Sequence, residues 1–200
     1  MVDVVERRRA AGRPRDEEVG PAILEAARRL VVEHGYEAVT TRMIAEAARA
    51  GKEAIYRRWP SKAELVLDAF LMYARTEVDV PRRGPEPIRD QVAGFLARTF
   101  AALAETGPAV RGLMATAQQD EGFRASFRTR FIEPRRGALR GLLQAAVDDG
   151  LLPANFDIEV AVIALFGAVW YRLLLDEPMD DDYPDRLAAV IVGGLHRTGA

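Results

Sequence analysis

Thr40, Thr41, Arg42, Lys52, Glu53, Tyr56, Arg57 and Lys62 place two alcohols, four cations, a phenol and one acid within a single short stretch. Side chains of these types neutralise phosphates and hydrogen-bond the edges of bases. Their spacing is helical. Thr40 or Thr41 can cap a helix with Ile44, Ala47 and Ala48 on one face, and a second helix, about Gly51 to Arg58, turns Ala54, Ile55 and Trp59 inward. That leaves Lys52, Glu53, Tyr56 and Arg57 facing outward. Two short amphipathic helices with a tight turn between them read as a helix-turn-helix, whose second helix enters the major groove.

Net charge is only -2, but it is unevenly placed. Residues 1 to 62 carry 13 Lys and Arg against 10 Asp and Glu, net +3, whereas residues 63 to 200 carry 15 against 20, net -5. Residues 7 to 15 hold five arginines and no acid, and residues 49 to 62 hold five cations against Glu53. Clustered cation is what counterion release from nucleic acid requires, whatever the total charge. Arg13 and Arg15, in Gly12-Arg13-Pro14-Arg15, suit an arm reaching a narrow minor groove, the other reading being a solvated tail. Thr40, Thr41 and Arg42 at a helix start can grip a backbone phosphate. Arg57 can do the same or reach a guanine, and Glu53 can accept from a cytosine amino group. The candidate DNA-contacting set is therefore Arg13, Arg15, Thr40, Thr41, Arg42, Lys52, Glu53, Ala54, Tyr56, Arg57 and Lys62.

This block resembles the DNA-binding domain of the TetR family of bacterial transcriptional regulators, through ILEAARRLVVEHGY, TTRMIAEAA and IYRRWPSK followed by an apolar helix, over residues 17 to 72. The resemblance implies an N-terminal three-helix helix-turn-helix domain followed by a helical regulatory domain, a DNA operator as partner, and repression as the usual mode. It also implies phosphate contacts from Tyr56 and Lys62, the latter at a helix N-terminus. Two departures are visible. Arg49 stands where the family usually has a turn glycine, and Glu53 puts an acid on the reading helix.

Other chemistries are poorly served. There is no cysteine, so disulfides, thiolate metal sites and cysteine nucleophiles are excluded. His34 and His196 are the two histidines, far apart and outside any catalytic motif, and Asp180 to Asp182 lack the spacing of a calcium loop. No enzyme, cofactor or metal is expected. The N-terminus is charged where a secretory signal is apolar, and the longest uncharged apolar run, Val160 to Tyr171, is short for a bilayer span. A cytoplasmic protein with no membrane partner is expected.

Every long segment has helical period, so the fold class is all-α. Residues 1 to 16 read as a flexible basic arm, 17 to 80 as the helix-turn-helix domain, and 86 to 200 as a helical regulatory and dimerisation domain. The first helix, 17 to 34, turns Ile23, Leu24, Ala27, Leu30 and Val31 inward and stops at Gly35. Ser61 with Glu64 opens another. Pro81 to Pro87 break the chain. Helices over 86–105, 108–119, 121–149 with a break near Pro134, 156–176 and 183–197 follow.

Residues 158 to 175 are apolar around nearly the whole circumference, and 187 to 195 are similar. A helix of that kind must be covered on more than one side. Ala161, Ala164, Ala168, Val190 and Ile191 are expected at a homodimer interface, which gives two reading heads and a near-palindromic operator. The resemblance further implies a small-molecule effector, and the candidate pocket residues are Phe95, Met114, Phe127, Phe131, Phe166 and Trp170. Arg111 and Arg172 are the cations expected beside an apolar or weakly anionic aromatic ligand. The competing reading is a helical ligand-binding or interaction module without operator binding, which salt-dependent DNA affinity separates from the first.

Overall fold

The computed structural model describes residues 14–77, 84–178 and 180–193, all helical or loop with no strand among them. The chain divides into two compact units, and the division falls at Phe70/Leu71, inside a helix and upstream of the proline-rich stretch expected to mark it.

The first unit contains α1 (Pro14–His34), α2 (Thr41–Ala47), α3 (Lys52–Tyr56) and the start of α4 (Lys62–Glu77). Ile23, Ala27, Leu30 and Val31 of α1 are buried, as their spacing predicts, with Ala26 beside them. Pro14 begins α1 three residues before the expected start, because its fixed φ and missing N–H suit the first helical position. Arg15 therefore lies in a helix and not in an extended arm, and Arg13 lies outside the described residues. Gly35 stops α1 at φ 80°, its N–H donating to Val31 O at 2.9 Å.

In α2 the buried residues are Ile44 and Ala45, while Ala47, expected inward, is exposed. At about 100° per residue a face shared by Ile44, Ala45 and Ala48 leaves Ala47 roughly 110° away. The turn after α2 closes on Arg49 at φ 52°: Ala50 N–H donates to Ala45 O at 2.9 Å and Arg49 N–H to Glu46 O at 3.2 Å. This is the hydrogen-bond pattern of a glycine-terminated helix, made here by an arginine.

The second unit holds α5 (Ile88–Gln119), α6 (Glu121–Phe127), a π-helical segment (Arg128–Ile132), α7 (Glu133–Asp148), α8 (Ile158–Leu175), α9 (Tyr183–Ala188) and a π-helical segment (Ala189–Gly193). α5 packs against α6, α8 and α9, and α7 against α8. Gly107-Pro108, expected to separate two helices, lies inside α5. Gly107 is buried where a Cβ would sit 2.9 Å from Leu173 Cδ1, so close packing of α8 holds the helix through the lost proline N–H. The break expected near Pro134 is the π-helical segment, with Pro134 in the first turn of α7. A proline cannot donate to the carbonyl four residues back, and the wider turn, Glu133 N–H to Arg128 O, accommodates it. The segment also aligns Phe123, Phe127 and Phe131. Four residues overshoot an α-helical turn by about 40°, and a wider turn takes that drift back. Phe127 and Phe131 stack with centroids 5.0 Å apart and planes 12° apart.

Candidate nucleic-acid interface

Thr40 is the N-cap of α2: its backbone is extended (φ -114°, ψ 156°) and its Oγ1 accepts from Met43 N at 3.2 Å. Thr41, next in line, shares a 2.9 Å hydrogen bond between its hydroxyl and that of Tyr56, the last residue of α3. Arg42 is exposed and pairs with Glu46 at 2.8 Å, an i,i+4 contact of little energetic weight that leaves the guanidinium available for exchange. Gly51 caps α3, followed by exposed Lys52 and Glu53, half-buried Ala54 and exposed Arg57. Tyr56 is 55% exposed. The structure thus brings the candidates of α2 and α3 together through the Thr41–Tyr56 bond.

Beneath this surface Ile55 and Trp59 are buried, as their spacing predicts. Trp59 Nε1 donates to Asp68 Oδ2 at 2.7 Å, which fixes the end of the reading segment to α4. Ser61 Oγ accepts from Glu64 N at 3.2 Å, the cap expected from the sequence. Lys62 is half-buried and its ammonium donates to Tyr36 O at 2.9 Å and Val39 O at 3.1 Å, 4.1 Å from the centroid of the Tyr36 ring. Burial lowers its pKa, opposed by the negative charge of Glu37. Sequence reasoning missed the bonds of Trp59 and Lys62 because they join residues 9 to 26 positions apart.

In the second unit the effector candidates form two groups. Phe95 meets Phe166 edge-on at 6.2 Å and Phe166 stacks near Trp170 at 6.3 Å, between α5 and α8. Phe127 of α6 and Phe131 of the π-helical segment stack in one column, and Met114 is half-buried on α5. A cavity of about 190 Å³ lies elsewhere, between Ile88 and Gln91 of α5 and Leu142, Ala146 and Leu151, and none of the candidates lines it. Arg111 and Arg172 are engaged structurally. Arg111 bonds Leu173 O at 3.1 Å and Asp176 Oδ1 at 2.7 Å, capping α8, and Arg172 bonds Pro178 O and Asp180 over the Tyr183 ring. The acidic run is a turn whose Asp180 and Asp182 pair with Arg172 and Arg186.

Another cation beside an aromatic group is Arg135, which the sequence reading missed although it follows Phe131 by one turn. Its guanidinium lies 3.9 Å from the Phe131 centroid and donates to Phe131 O at 2.8 Å. Burial pushes its pKa down to about 10.

On α8 the exposed apolar face is one residue out of phase with expectation. Ala161 is 2% exposed and packs inside its own unit, and Ala164 and Ala168 are half-buried. The reason is that α8 packs against both α5 and α7, and Ala161, Leu165 and Val169 are buried within that packing. Val160, Ile163 at 59%, Tyr171 and Leu174 form the outer stripe; on the Ala189–Gly193 segment, which packs against α8, Val190 is 67% exposed and Ile191 half-buried. By length and composition α8 could cross a bilayer, with mean hydropathy 1.9 over 18 residues. The same pattern belongs to a helix packed on two sides.

A capped α2, a short α3 with an outward polar face and a separate all-helical unit define a helix-turn-helix transcriptional regulator. Residues 23–69 match the bacterial regulatory proteins of the tetR family, and residues 86–191 match the tetracyclin repressor-like C-terminal domain. The HTH-type transcriptional regulator YdeS of Bacillus subtilis is 38% identical over 94% of this chain and 96% of its own. The DNA-binding transcriptional repressor TetR of Mycobacteroides abscessus is 29% identical, over 93% of this chain and 98% of its own. The crystal structure of the TetR family regulator SCO0332 superposes with a TM-score of 0.69 at 28% identity, covering 88% of this chain and 98% of that one. The chain belongs to the TetR family, and it is a DNA-binding transcriptional regulator.

Proposed function

We propose that this regulator is a cytoplasmic repressor that binds a near-palindromic operator as a homodimer and leaves it when a small apolar or aromatic effector binds the second unit. The observation that carries the reading is the Thr41–Tyr56 hydrogen bond, which makes one exposed face of α2 and α3. On that face Thr40, Thr41, Arg42, Tyr56 and Arg57 grip phosphates, while Lys52, Glu53 and Ala54 approach base edges at the start of α3. Arg13 and Arg15 add cation upstream. The apolar stripe of α8 with Val190 and Ile191 meets the same stripe of a second copy, which covers it without recourse to a membrane. Two copies set half-sites about 34 Å, or a multiple, apart.

The effector is held by the aromatic groups around Phe95, Phe166 and Trp170 or Phe127 and Phe131, with Met114 as a soft neighbour. An anionic group on it meets Arg135. For release, the effector must favour the conformation that does not bind DNA, and a tenfold loss of operator affinity corresponds to about 1.4 kcal/mol of coupling. Selection of bound fragments from genomic DNA by the purified protein tests the reading. Recovery of a near-palindrome whose affinity falls steeply with salt is expected. Binding that shows no sequence preference at any salt concentration rejects it.

A further inference from the structure

We propose that Lys62 is a positioning residue for operator binding: its ammonium fixes the turn that leads into α2, and it contributes to affinity through Thr40 and Thr41 and not as a phosphate contact. The proposal rests on the operator-binding reading for its functional half only. An ammonium has three N–H donors. Two are taken by Tyr36 O and Val39 O, and the Tyr36 ring stands 4.1 Å away on the side. Those carbonyls belong to the connection between α1 and α2, which has no helical ladder to satisfy them. Lys62 reaches back 26 and 23 residues to do so.

The position itself argues for this role. Lys62 is the first residue of α4, where the helix dipole disfavours a cation, and burial disfavours it again. The carbonyl oxygens offset both costs. Their consequence runs along the chain: Val39 immediately precedes Thr40, so fixing the Val39 carbonyl fixes the extended backbone from which the Thr40 hydroxyl caps α2. Thr41 then meets Tyr56 at 2.9 Å. A planar guanidinium presents its donors in a fork, whereas two converging carbonyls suit a compact ammonium.

The chain has two lysines, Lys52 and Lys62, so uniform labelling of lysine with nitrogen-15 gives two side-chain ammonium signals, assigned with Lys52→Arg. In the intact free protein at neutral pH the Lys62 signal should be protected from solvent exchange, whereas that of exposed Lys52 should be broadened away. The Lys62 signal should move little when operator fragment is added. A Lys62 signal absent from the free protein, or one that shifts strongly only on adding DNA, overturns the proposal without bearing on whether DNA binds. Lys62→Arg keeps the charge, and it should lose roughly tenfold in operator affinity, the worth of one charge-assisted bond, with the salt slope unchanged. Lys62→Arg that binds like the parent, or Lys62→Met that lowers the slope by about one, returns Lys62 to the phosphate contacts.

Discussion

The hydroxyl oxygens of Thr41 and Tyr56 lie 2.9 Å apart, joining the first residue of α2 to the last of α3. Either can donate, so the pair can also offer one proton to a phosphate while keeping its own bond. Tyr56→Phe should weaken operator binding by a few-fold, the loss of one neutral hydrogen bond of about 1 kcal/mol, equally on all sequences. The phenol carries no charge, so the salt slope should not change. Fluorescence anisotropy over a salt series with operator and unrelated duplex checks both. Thr41→Val should be non-additive with it, because the two side chains share the bond.

Arg49 holds a left-handed backbone at φ 52° that costs an ordinary residue about 1–2 kcal/mol. Arg49→Gly should therefore stabilise the protein, raising its Tm by about 2–4 °C per kcal/mol recovered in a chain of this size. Calorimetry of the two proteins decides it, and an unchanged or lower Tm would show that the arginine side chain compensates its own strain.

Ile163 and Ala161 lie two residues apart on α8 and face opposite ways, one 59% exposed and the other 2%. If the proposed homodimer forms through this stripe, Ile163→Glu should leave each copy folded and dissociate it, since it buries an unpaired charge at a cost of several kcal/mol of association. Ala161→Glu should instead unfold the second unit. Light scattering combined with circular dichroism separates the two outcomes, and a dimeric Ile163→Glu at micromolar concentration would move the interface off this face.

Arg135 presents a desolvated guanidinium above Phe131. If it meets an anionic effector, an aromatic carboxylate that raises the Tm of the parent should do so at roughly tenfold lower concentration than its methyl ester, the worth of a charged hydrogen bond. In Arg135→Met that preference should vanish while operator affinity in the absence of effector stays the same. An ester as effective as the acid on the parent protein would remove Arg135 from recognition.

The helix-turn-helix was legible because its signals are local. Thr40 and Ser61 cap where they stand, Gly35 stops a helix by its own freedom, and Ile23, Leu30, Ile55 and Trp59 repeat at helical period. Ala47 and Ala161 were misplaced because a face shared between two neighbours is wider than one stripe, and only packing decides which edge is covered. Gly107-Pro108 misled for the converse reason: a local break signal yielded to the contact with Leu173. The clamps at Lys62 and Arg111 join residues 23 to 65 positions apart, a separation at which no spacing rule operates.

The wide turn at Arg128–Ile132 gives the second unit slack in chain length. At about 100° per residue, a turn that closes from Glu133 N–H to Arg128 O takes up most of the rotation that one extra residue adds, so a protein one residue shorter there could run an uninterrupted α-helical ladder up to Pro134 with α6 and α7 presenting nearly the same faces. A single codon gained or lost at that turn is absorbed locally, a form of variation that substitution scanning cannot sample.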